Sequence, residues 1–288
     1  MTHGRHLFHT ASPSPLVDVP VYADADDDTE RAGPTLDVSF LVVTYGTGPI
    51  VIEAITSLVA GMDGTDLSFE VVVVDNPHPD ATTRARNELA LSTRGVRVLS
   101  PGRNLGFGGG CELGALFARG RVLAFVNPDL VVGPGWIQPL IERLELGASI
   151  AAPMMLDTDG TIQEAGRIVH ADGSTSAIRD PDALAGGEIR PDYASAACWL
   201  IRRDEHERLG GFDPAFHPAY YEDVELAMRS AALGGGLAVV TDVAVVHHRG
   251  LGTHTTSRTA DTSAQRDVLL ARAPQIRWTQ PARPGSLR

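Results

Sequence analysis

The sequence predicts an α/β fold: a single domain with a Rossmann-like, mostly parallel central sheet, flanking helices and flexible tails. Short apolar runs rich in β-branched residues alternate with helical patterns, which is typical of βαβ units. The links between the elements are short enough for right-handed crossovers. Of the 288 residues, 43% are hydrophobic. This content is sufficient for a substantial core.

The elements follow one another in a regular order. Four apolar runs in the first half are predicted strands, at residues 38–44, 70–75, 96–99 and 122–127. Helical patterns are predicted around them, at residues 49–60, 80–91 and 109–118. A further helix follows Trp136, and the predicted elements after it are strands at 149–154, 194–202 and 237–247 and a helix at 221–233.

The two ends of the chain differ from the middle in composition. Residues 1–34 are rich in Pro, Asp and His without periodicity, which predicts a disordered leader. Residues 253–288 are rich in Thr, Arg, Ala and Pro and are predicted to form a C-terminal tail or lid. The folded domain is therefore predicted over residues 35–252.

Charge and cysteine content exclude several classes of protein. A net charge of −12 argues against a broad surface for nucleic acid or for an anionic membrane. No apolar run approaches the roughly 18 residues that a membrane span needs, and no signal-peptide pattern occurs at the N-terminus. Cys111 and Cys198 lie far apart without metal-type spacing, which predicts buried thiols in a reducing compartment. Together these features predict a cytoplasmic protein.

Polar side chains stand where four of the predicted strands end. In an open parallel sheet, ligands bind at the carboxyl ends of the strands, so these positions predict one continuous site. They are Thr44 and Tyr45, Asp75 and Asn76, Arg103 with Asn104 and Gly106, and Asn127 with Asp129.

Asp75 and the glycine-rich segment that follows it suggest nucleotide binding. The Asp75 carboxylate suits a base or ribose, although an aspartate there also caps turns. Six glycines between residues 102 and 114 allow backbone amides to approach a pyrophosphate. Neither a P-loop nor a GxGxxG sequence after the first strand is present, so an ordinary ATPase or NAD enzyme is not indicated.

Three further positions suggest a metal ion and a base, each with a structural alternative. Asp129 suits a divalent ion that also binds substrate phosphates, or else caps a helix. The Glu222-Asp223 pair suits a general base, or else complements a helix dipole. His247 and His248 end an apolar strand, where one imidazole suits a metal and a surface pair is the alternative.

The motifs together resemble one known family. In chain order they are Val42-Val43-Thr44-Tyr45, Val73-Val74-Asp75-Asn76, Asn104-Leu105-Gly106-Phe107-Gly108-Gly109-Gly110, Asn127-Pro128-Asp129, Arg202-Arg203, Gly210-Gly211-Phe212-Asp213, Glu222-Asp223-Val224-Glu225-Leu226 and His247-His248. This ensemble, over residues 38–252, resembles the family 2 inverting glycosyltransferases with the GT-A fold, especially their rhamnosyltransferase-like branch.

The resemblance implies a role for each matching residue. Asp129 would hold Mg²⁺ or Mn²⁺ against the diphosphate of a nucleotide-sugar donor, with His247 as second ligand and His248 as fallback. Asp223 would be the general base, supported by Glu222. The implied donor-binding residues are Thr44, Tyr45, Asp75, Asn76, Arg103, Asn104, Gly106 and Asn127.

Some positions depart from the family's pattern. Asn127 replaces the first acid of the metal motif, Gly46 stands where many relatives have Asn, and residues 212–222 are one residue longer than usual.

Two other functions stay open, a sugar nucleotidyltransferase and a non-catalytic nucleotide-sugar-binding relative. The implied donor is similar to dTDP-rhamnose, and the acceptor is a hydroxyl of a glycan, a lipid-linked glycan or a small molecule. The lipid-linked case implies peripheral contact with the inner face of the membrane. The sequence indicates no oligomeric state.

Overall fold

The computed structural model describes residues 21–22, 34–79, 96–182, 191–251 and 262–272. The strands are β1 (Val21–Tyr22), β2 (Leu36–Tyr45), β3 (Phe69–Asn76), β4 (Arg97–Pro101), β5 (Gly120–Val126), β6 (Leu130–Val131), β7 (Ile150–Leu156), β8 (Ile162–Glu164), β9 (Arg167–Val169), β10 (Thr175–Ala177), β11 (Cys198–Arg202) and β12 (Leu237–His247). The helices are α1 (Ile50–Ala60), α2 (Gly106–Phe117), α3 (Ile137–Glu145), α4 (Arg203–Leu209), α5 (Glu222–Ala232) and α6 (Ser263–Arg272).

A single sheet forms the centre of the described structure. Its order is β1-β4-β3-β2-β5-β11-β7-β12-β6, and β8 pairs with β7. Strands β4, β3, β2 and β5 are parallel, as are β7 and β12, while β11 runs antiparallel between these two groups. The predicted α/β fold is therefore confirmed, with antiparallel strands at β11 and at the edges of the sheet.

The central strands are buried on both faces because apolar side chains occupy consecutive positions. Val42 and Val73 belong to one core cluster, while Val43 and Val74 belong to the other, on the opposite face of the sheet. This alternation follows from the two-residue period of a strand. Helix α2 packs unusually close to β2, since a Cβ at Gly110 would lie 2.7 Å from Val43.

The observed elements differ from the predicted ones in specific places. The predicted helix at 80–91 lies outside the described residues, as does most of the predicted leader. The predicted strand at 194–202 begins only at Cys198, because the preceding backbone contacts other parts of the chain. Helix α4 and the short strands β8 to β10 were not predicted.

Part of the predicted C-terminal tail forms helix α6. Leu269 of this helix is fully buried in the core, and Arg272 forms an ion pair with Asp213 at 2.6 Å. Residues 252–261 and 273–288, the rest of the predicted tail or lid, lie outside the described residues. Among the described helices, none is long and apolar enough to cross a membrane.

Both cysteines are buried free thiols, as predicted. Burial raises the pKa of Cys198, and burial together with the nearby Glu112 carboxylate raises the pKa of Cys111. Both thiols therefore stay protonated at neutral pH and act as small apolar side chains.

Candidate active site

The predicted nucleoside-binding residues lie side by side at the carboxyl ends of β2 and β3. The parallel register pairs Thr44 with Asp75 and Tyr45 with Asn76. Thr44 Oγ1 donates a hydrogen bond of 2.7 Å to Asp75 Oδ1, and both side chains are buried. The Tyr45 ring meets His78 edge-on, with 4.8 Å between the ring centroids. The Thr44 hydroxyl thus orients one oxygen of the Asp75 carboxylate.

Asn76 holds the glycine-rich loop in place. Its Oδ1 accepts a hydrogen bond from the Leu105 amide at 2.8 Å, and its Nδ2 donates to the Gly106 carbonyl at 3.3 Å. Asn104 acts within the same loop, since its Oδ1 accepts from the Gly106 amide at 2.8 Å. Both side chains therefore shape the backbone that begins α2, while direct contact of either with the donor stays a prediction.

Gly106 lies where this loop meets the segment before α5. Its φ is +73°, and a Cβ there would overlap the carbonyl of Pro218. That carbonyl also accepts a hydrogen bond from the Phe107 amide at 2.7 Å. Glycine is therefore required both for the left-handed backbone and for this close approach.

Gly106→Ala is expected to lower the free energy of unfolding by more than the roughly 1–2 kcal/mol that left-handed backbone alone costs an L-residue. Gly64→Ala is the matched control, because Gly64 has a φ of +81° and its Cβ would meet no atom within 4 Å. Urea denaturation of both variants measures the difference. Equal losses would mean that the contact with Pro218 does not constrain the loop.

Asp129 and His247 form a close pair, as the metal prediction requires. The antiparallel pairing of β6 with β12 sets His247 opposite Leu130. Asp129 Oδ1 then lies 3.3 Å from His247 Nε2, and Asn127 Nδ2 lies 3.4 Å from the same nitrogen. The side chain of Asp129 is 3% exposed and that of His247 is 12% exposed. His248 donates its backbone amide to the Asp129 carbonyl at 2.9 Å.

The spacing of this pair suits a shared divalent cation. Two ligands in adjacent octahedral positions, each about 2.1 Å from a Mg²⁺ ion, are about 3.0 Å apart. The observed 3.3 Å between Asp129 Oδ1 and His247 Nε2 is close to that value. Within the described ranges, no group of three or more His, Cys, Asp or Glu side chains could hold a metal ion. A cation at the pair would therefore need further ligands from substrate or water.

Asp223 and Glu222 begin helix α5 and have different surroundings. Asp223 is partly exposed; its Oδ2 accepts from the Ala196 amide at 3.2 Å and its Oδ1 from the Val224 amide at 2.8 Å. Removal of the carboxylate from water raises the pKa of Asp223 to about 6. Glu222 is 5% exposed, and its Oε2 has no hydrogen-bond partner among the described residues. Burial, and then the charge of Asp223, raises its pKa well above the usual range.

The backbone before this pair is strained. Tyr220 and Tyr221 have φ values of +79° and +70°, a region that non-glycine residues rarely adopt. Such conformations cost about 1–3 kcal/mol each and concentrate at functional sites. This backbone conformation sets the direction in which the helix begins at Glu222 and Asp223.

A cavity of about 180 Å³ opens beside Glu222. Residues of the glycine-rich loop and of the segment before α5 line it, together with the predicted donor residue Arg103. The lining residues are Arg103, Leu105, Gly108, Gly109, Asp213, Pro214, Phe216, His217, Pro218 and Glu222. The buried carboxyl of Glu222 is thus available to a hydroxyl group bound in this cavity.

The segment before β11 joins the metal pair to the candidate base. The Ala196 amide donates to Asp223, and the carbonyl of the next residue, Ala197, accepts from the Asn127 amide at 2.8 Å. The Ser195 amide donates to Glu164 Oε1 at 2.9 Å. Three consecutive residues therefore connect Asp223, the Asn127–Asp129 turn and β8.

Two buried polar residues of β8, which no sequence motif predicted, contact the candidate site. Glu164 accepts from Ser195 and forms an ion pair with Arg167 at 2.9 Å. Gln163 is hydrogen bonded to His247 Nδ1 at 2.9 Å. The only signal in the sequence is the stretch Asp157-Thr158-Asp159-Gly160, whose composition is typical of a turn and which precedes this short strand.

Comparisons with known proteins show which family this sequence matches. The family model of Glycosyl transferase family 2 matches residues 39–210. The chain is 27% identical to the N-acetylglucosaminyl-diphospho-decaprenol L-rhamnosyltransferase of Mycobacterium tuberculosis, over 76% of this chain and 77% of the relative. It is 30% identical to the O-antigen biosynthesis protein RfbC of Myxococcus xanthus, over 74% of this chain and 17% of that protein.

Solved structures share the fold. GalNAc-T7, crystallised with UDP, GalNAc and Mn²⁺, has a TM-score of 0.68 and 17% identity, and the match covers 84% of this chain and 50% of GalNAc-T7. TarS 1-349 of S. aureus has a TM-score of 0.54 and 19% identity, with 74% of this chain and 60% of TarS 1-349 covered. The chain therefore belongs to glycosyl transferase family 2 and is a glycosyltransferase with the GT-A fold.

Proposed function

We propose that this enzyme transfers a sugar from a nucleotide-diphosphate sugar to an acceptor hydroxyl, with inversion at the anomeric carbon. The main support is that Ala196 and Ala197 connect the candidate base Asp223 to the turn that bears Asp129. A base and a metal site so connected can serve the two ends of one displacement. The similarity to a rhamnosyltransferase favours a donor such as dTDP-rhamnose.

The donor is held at the carboxyl edge of the sheet in this proposal. Thr44, Tyr45 and Asp75 contact the nucleoside, and Arg103 with the amides that begin α2 contacts the diphosphate. Asp129 and His247 hold Mg²⁺ or Mn²⁺, which when bound offsets the negative charge of the departing nucleotide diphosphate. Asn127 orients the pair through its contact with His247.

The transfer itself is a single displacement. The acceptor oxygen forms a bond to the anomeric carbon while the bond from that carbon to the diphosphate oxygen breaks. The hydroxyl proton passes to the carboxylate of Asp223, and the nucleotide diphosphate leaves with the bonding electron pair. Burial favours the protonated form of Glu222, which adds no second negative charge beside Asp223 and can hydrogen bond to a sugar hydroxyl in the adjacent cavity.

The pH dependence of turnover is expected to follow Asp223. The base acts only when ionised, and burial raises its pKa to about 6. The rate should therefore be constant above that pH and fall by about tenfold per unit below it. Initial rates at saturating donor, together with nucleotide affinity over the same pH range, measure this effect. A rate that stays constant well below pH 6, with the nucleotide still bound, would contradict the assignment.

The acceptor is proposed to be a glycan, in the first place a lipid-linked one. The Mycobacterium tuberculosis relative is named for an acceptor that joins a sugar diphosphate to a polyprenol. An enzyme that acts on such an acceptor would contact the inner face of the membrane peripherally. Transfer to a lipid-linked glycan in vesicles, compared with transfer to a soluble glycan, tests this point.

The test of the function is a titration of the protein with UDP, GDP and dTDP, each in Mn²⁺ and again in EDTA. We expect calorimetry to show metal-dependent binding of one nucleotide. The corresponding nucleotide sugar is then supplied with acceptor, and NMR determines the anomeric configuration of the product. Retention of configuration would contradict direct displacement, and failure to bind any of the three nucleotides would contradict the donor site.

A further inference from the structure

A chain of hydrogen bonds, here called the Gln163 relay, runs from the surface to the imidazole of His247. Arg249 donates from Nε and Nη2 to Asp157 Oδ1, at 2.9 and 2.7 Å. Gln163 Nε2 donates to the same oxygen at 3.0 Å, and Gln163 Oε1 lies 2.9 Å from His247 Nδ1. Gln163 is 6% exposed, so water has little access to its amide.

The charge of Asp157 determines which way the Gln163 amide points. A carboxylate only accepts hydrogen bonds, so the NH₂ group of Gln163 must face Asp157 and its carbonyl must face His247. The hydrogen bond from Arg249 lowers the pKa of Asp157, which keeps this carboxyl ionised at neutral pH. A carbonyl oxygen also only accepts, so the hydrogen bond to Gln163 requires the proton of neutral His247 to be on Nδ1.

The opposite ring nitrogen is then the one that can bind a metal. With the proton on Nδ1, the lone pair of neutral His247 is on Nε2, which lies 3.3 Å from Asp129 Oδ1. We propose that Gln163 and Asp157 are positioning residues that hold His247 in the tautomer with Nε2 free to bind a divalent cation. This inference rests on the proposed metal role of His247 and adds two residues outside the motifs that predicted the site.

The first test is the tautomer of His247 in the metal-free protein. Nitrogen-15 NMR at alkaline pH distinguishes a protonated Nδ1 from a protonated Nε2, and His247→Ala identifies the signal among the ten histidines. We expect the wild type to have the proton on Nδ1 and Gln163→Leu to show a mixture. An unchanged tautomer in Gln163→Leu, with a melting temperature near that of the wild type, would overturn the proposal.

The second test is Mn²⁺ affinity in the presence of dTDP, measured from the free Mn²⁺ signal in electron paramagnetic resonance. Loss of a residue that orients a metal ligand costs about 10- to 100-fold in affinity, and we expect this loss for Gln163→Leu. Asp159→Ala is the matched control, because Asp159 is an exposed carboxylate two residues from Asp157 whose side-chain hydrogen bonds within the described part of the chain are to Thr161. Its Mn²⁺ affinity should equal that of the wild type.

A double-mutant cycle shows whether Asp157 acts through Gln163. Asp157→Ala should weaken Mn²⁺ binding in the wild type and have no further effect in Gln163→Leu. An equal loss in both backgrounds would overturn the relay, because Asp157 would then act on the cation by charge alone. If the tautomer changes in Gln163→Leu but His247→Ala binds Mn²⁺ as the wild type does, the relay is supported and the proposed metal role of His247 is wrong.

Discussion

Replacing Asp223 with asparagine is expected to lower the turnover of sugar transfer by about 10²- to 10⁴-fold, the usual contribution of a general base. Asparagine has the same shape and can still accept a hydrogen bond from the Ala196 or Val224 amide, but it cannot accept the acceptor's proton. Affinity for the donor should change little, because the base acts on the acceptor. Steady-state kinetics at saturating donor and calorimetry with the nucleotide separate these two quantities.

Glu222→Gln is the matched control for this variant. Burial raises the pKa of Glu222 well above its usual range, which favours the neutral carboxyl, and glutamine reproduces this neutral form. We expect Glu222→Gln to lose far less turnover than Asp223→Asn and to affect mainly KM for the substrate whose hydroxyl enters the cavity. If Asp223→Asn instead kept nearly full turnover and Glu222→Gln lost it, the base would be Glu222.

The strands of the sheet were predictable because their signal is local. Four consecutive valines at 71–74 are buried, on both faces of the sheet, so continuous apolar character indicated β3 directly. Helix α4 was not predictable in this way. It buries Glu205 and His206 together with Leu209, and a hydrophobic pattern cannot detect a helix whose buried face is partly charged.

Only those residues of the candidate site that lie at strand ends or helix starts could be predicted from the sequence. Asp129 and His247 were predicted because each lies at the end of an apolar strand, where parallel sheets place ligands, and Asp223 was predicted at the start of a helix. Gln163 was not, because its contact with His247 joins residues 84 positions apart and depends on the pairing of β8 with β7. For Asn76 the sequence predicted donor contact, while its observed hydrogen bonds to the glycine-rich loop depend on tertiary structure.

Asp129→Ala is expected to remove the effect of metal on nucleotide binding. In the wild type we expect the nucleotide to bind much more tightly in Mn²⁺ than in EDTA, because a cation held by Asp129 would offset the charge of the diphosphate. Loss of a residue that merely orients a ligand costs about 10- to 100-fold in metal affinity, so loss of the ligand itself should cost at least that much. The variant should then bind the nucleotide equally in Mn²⁺ and in EDTA, which calorimetry measures directly.

Two controls distinguish a lost ligand from a general change in charge or folding. Asp242→Ala removes the same charge from an exposed position on β12, the strand that also bears His247, and should bind the nucleotide as the wild type does. The unfolding temperature of Asp129→Ala in EDTA must also be compared with that of the wild type, because Asp129 is 2% exposed and removing a buried carboxylate can destabilise the fold. If Asp129→Ala is folded and its nucleotide affinity is still higher in Mn²⁺ than in EDTA by the same factor as in the wild type, the cation binds elsewhere. In that case the close approach of Asp129 to His247 would be a structural ion pair, and the negative charge on the leaving diphosphate would have to be offset by Arg103 and the amides of the glycine-rich loop.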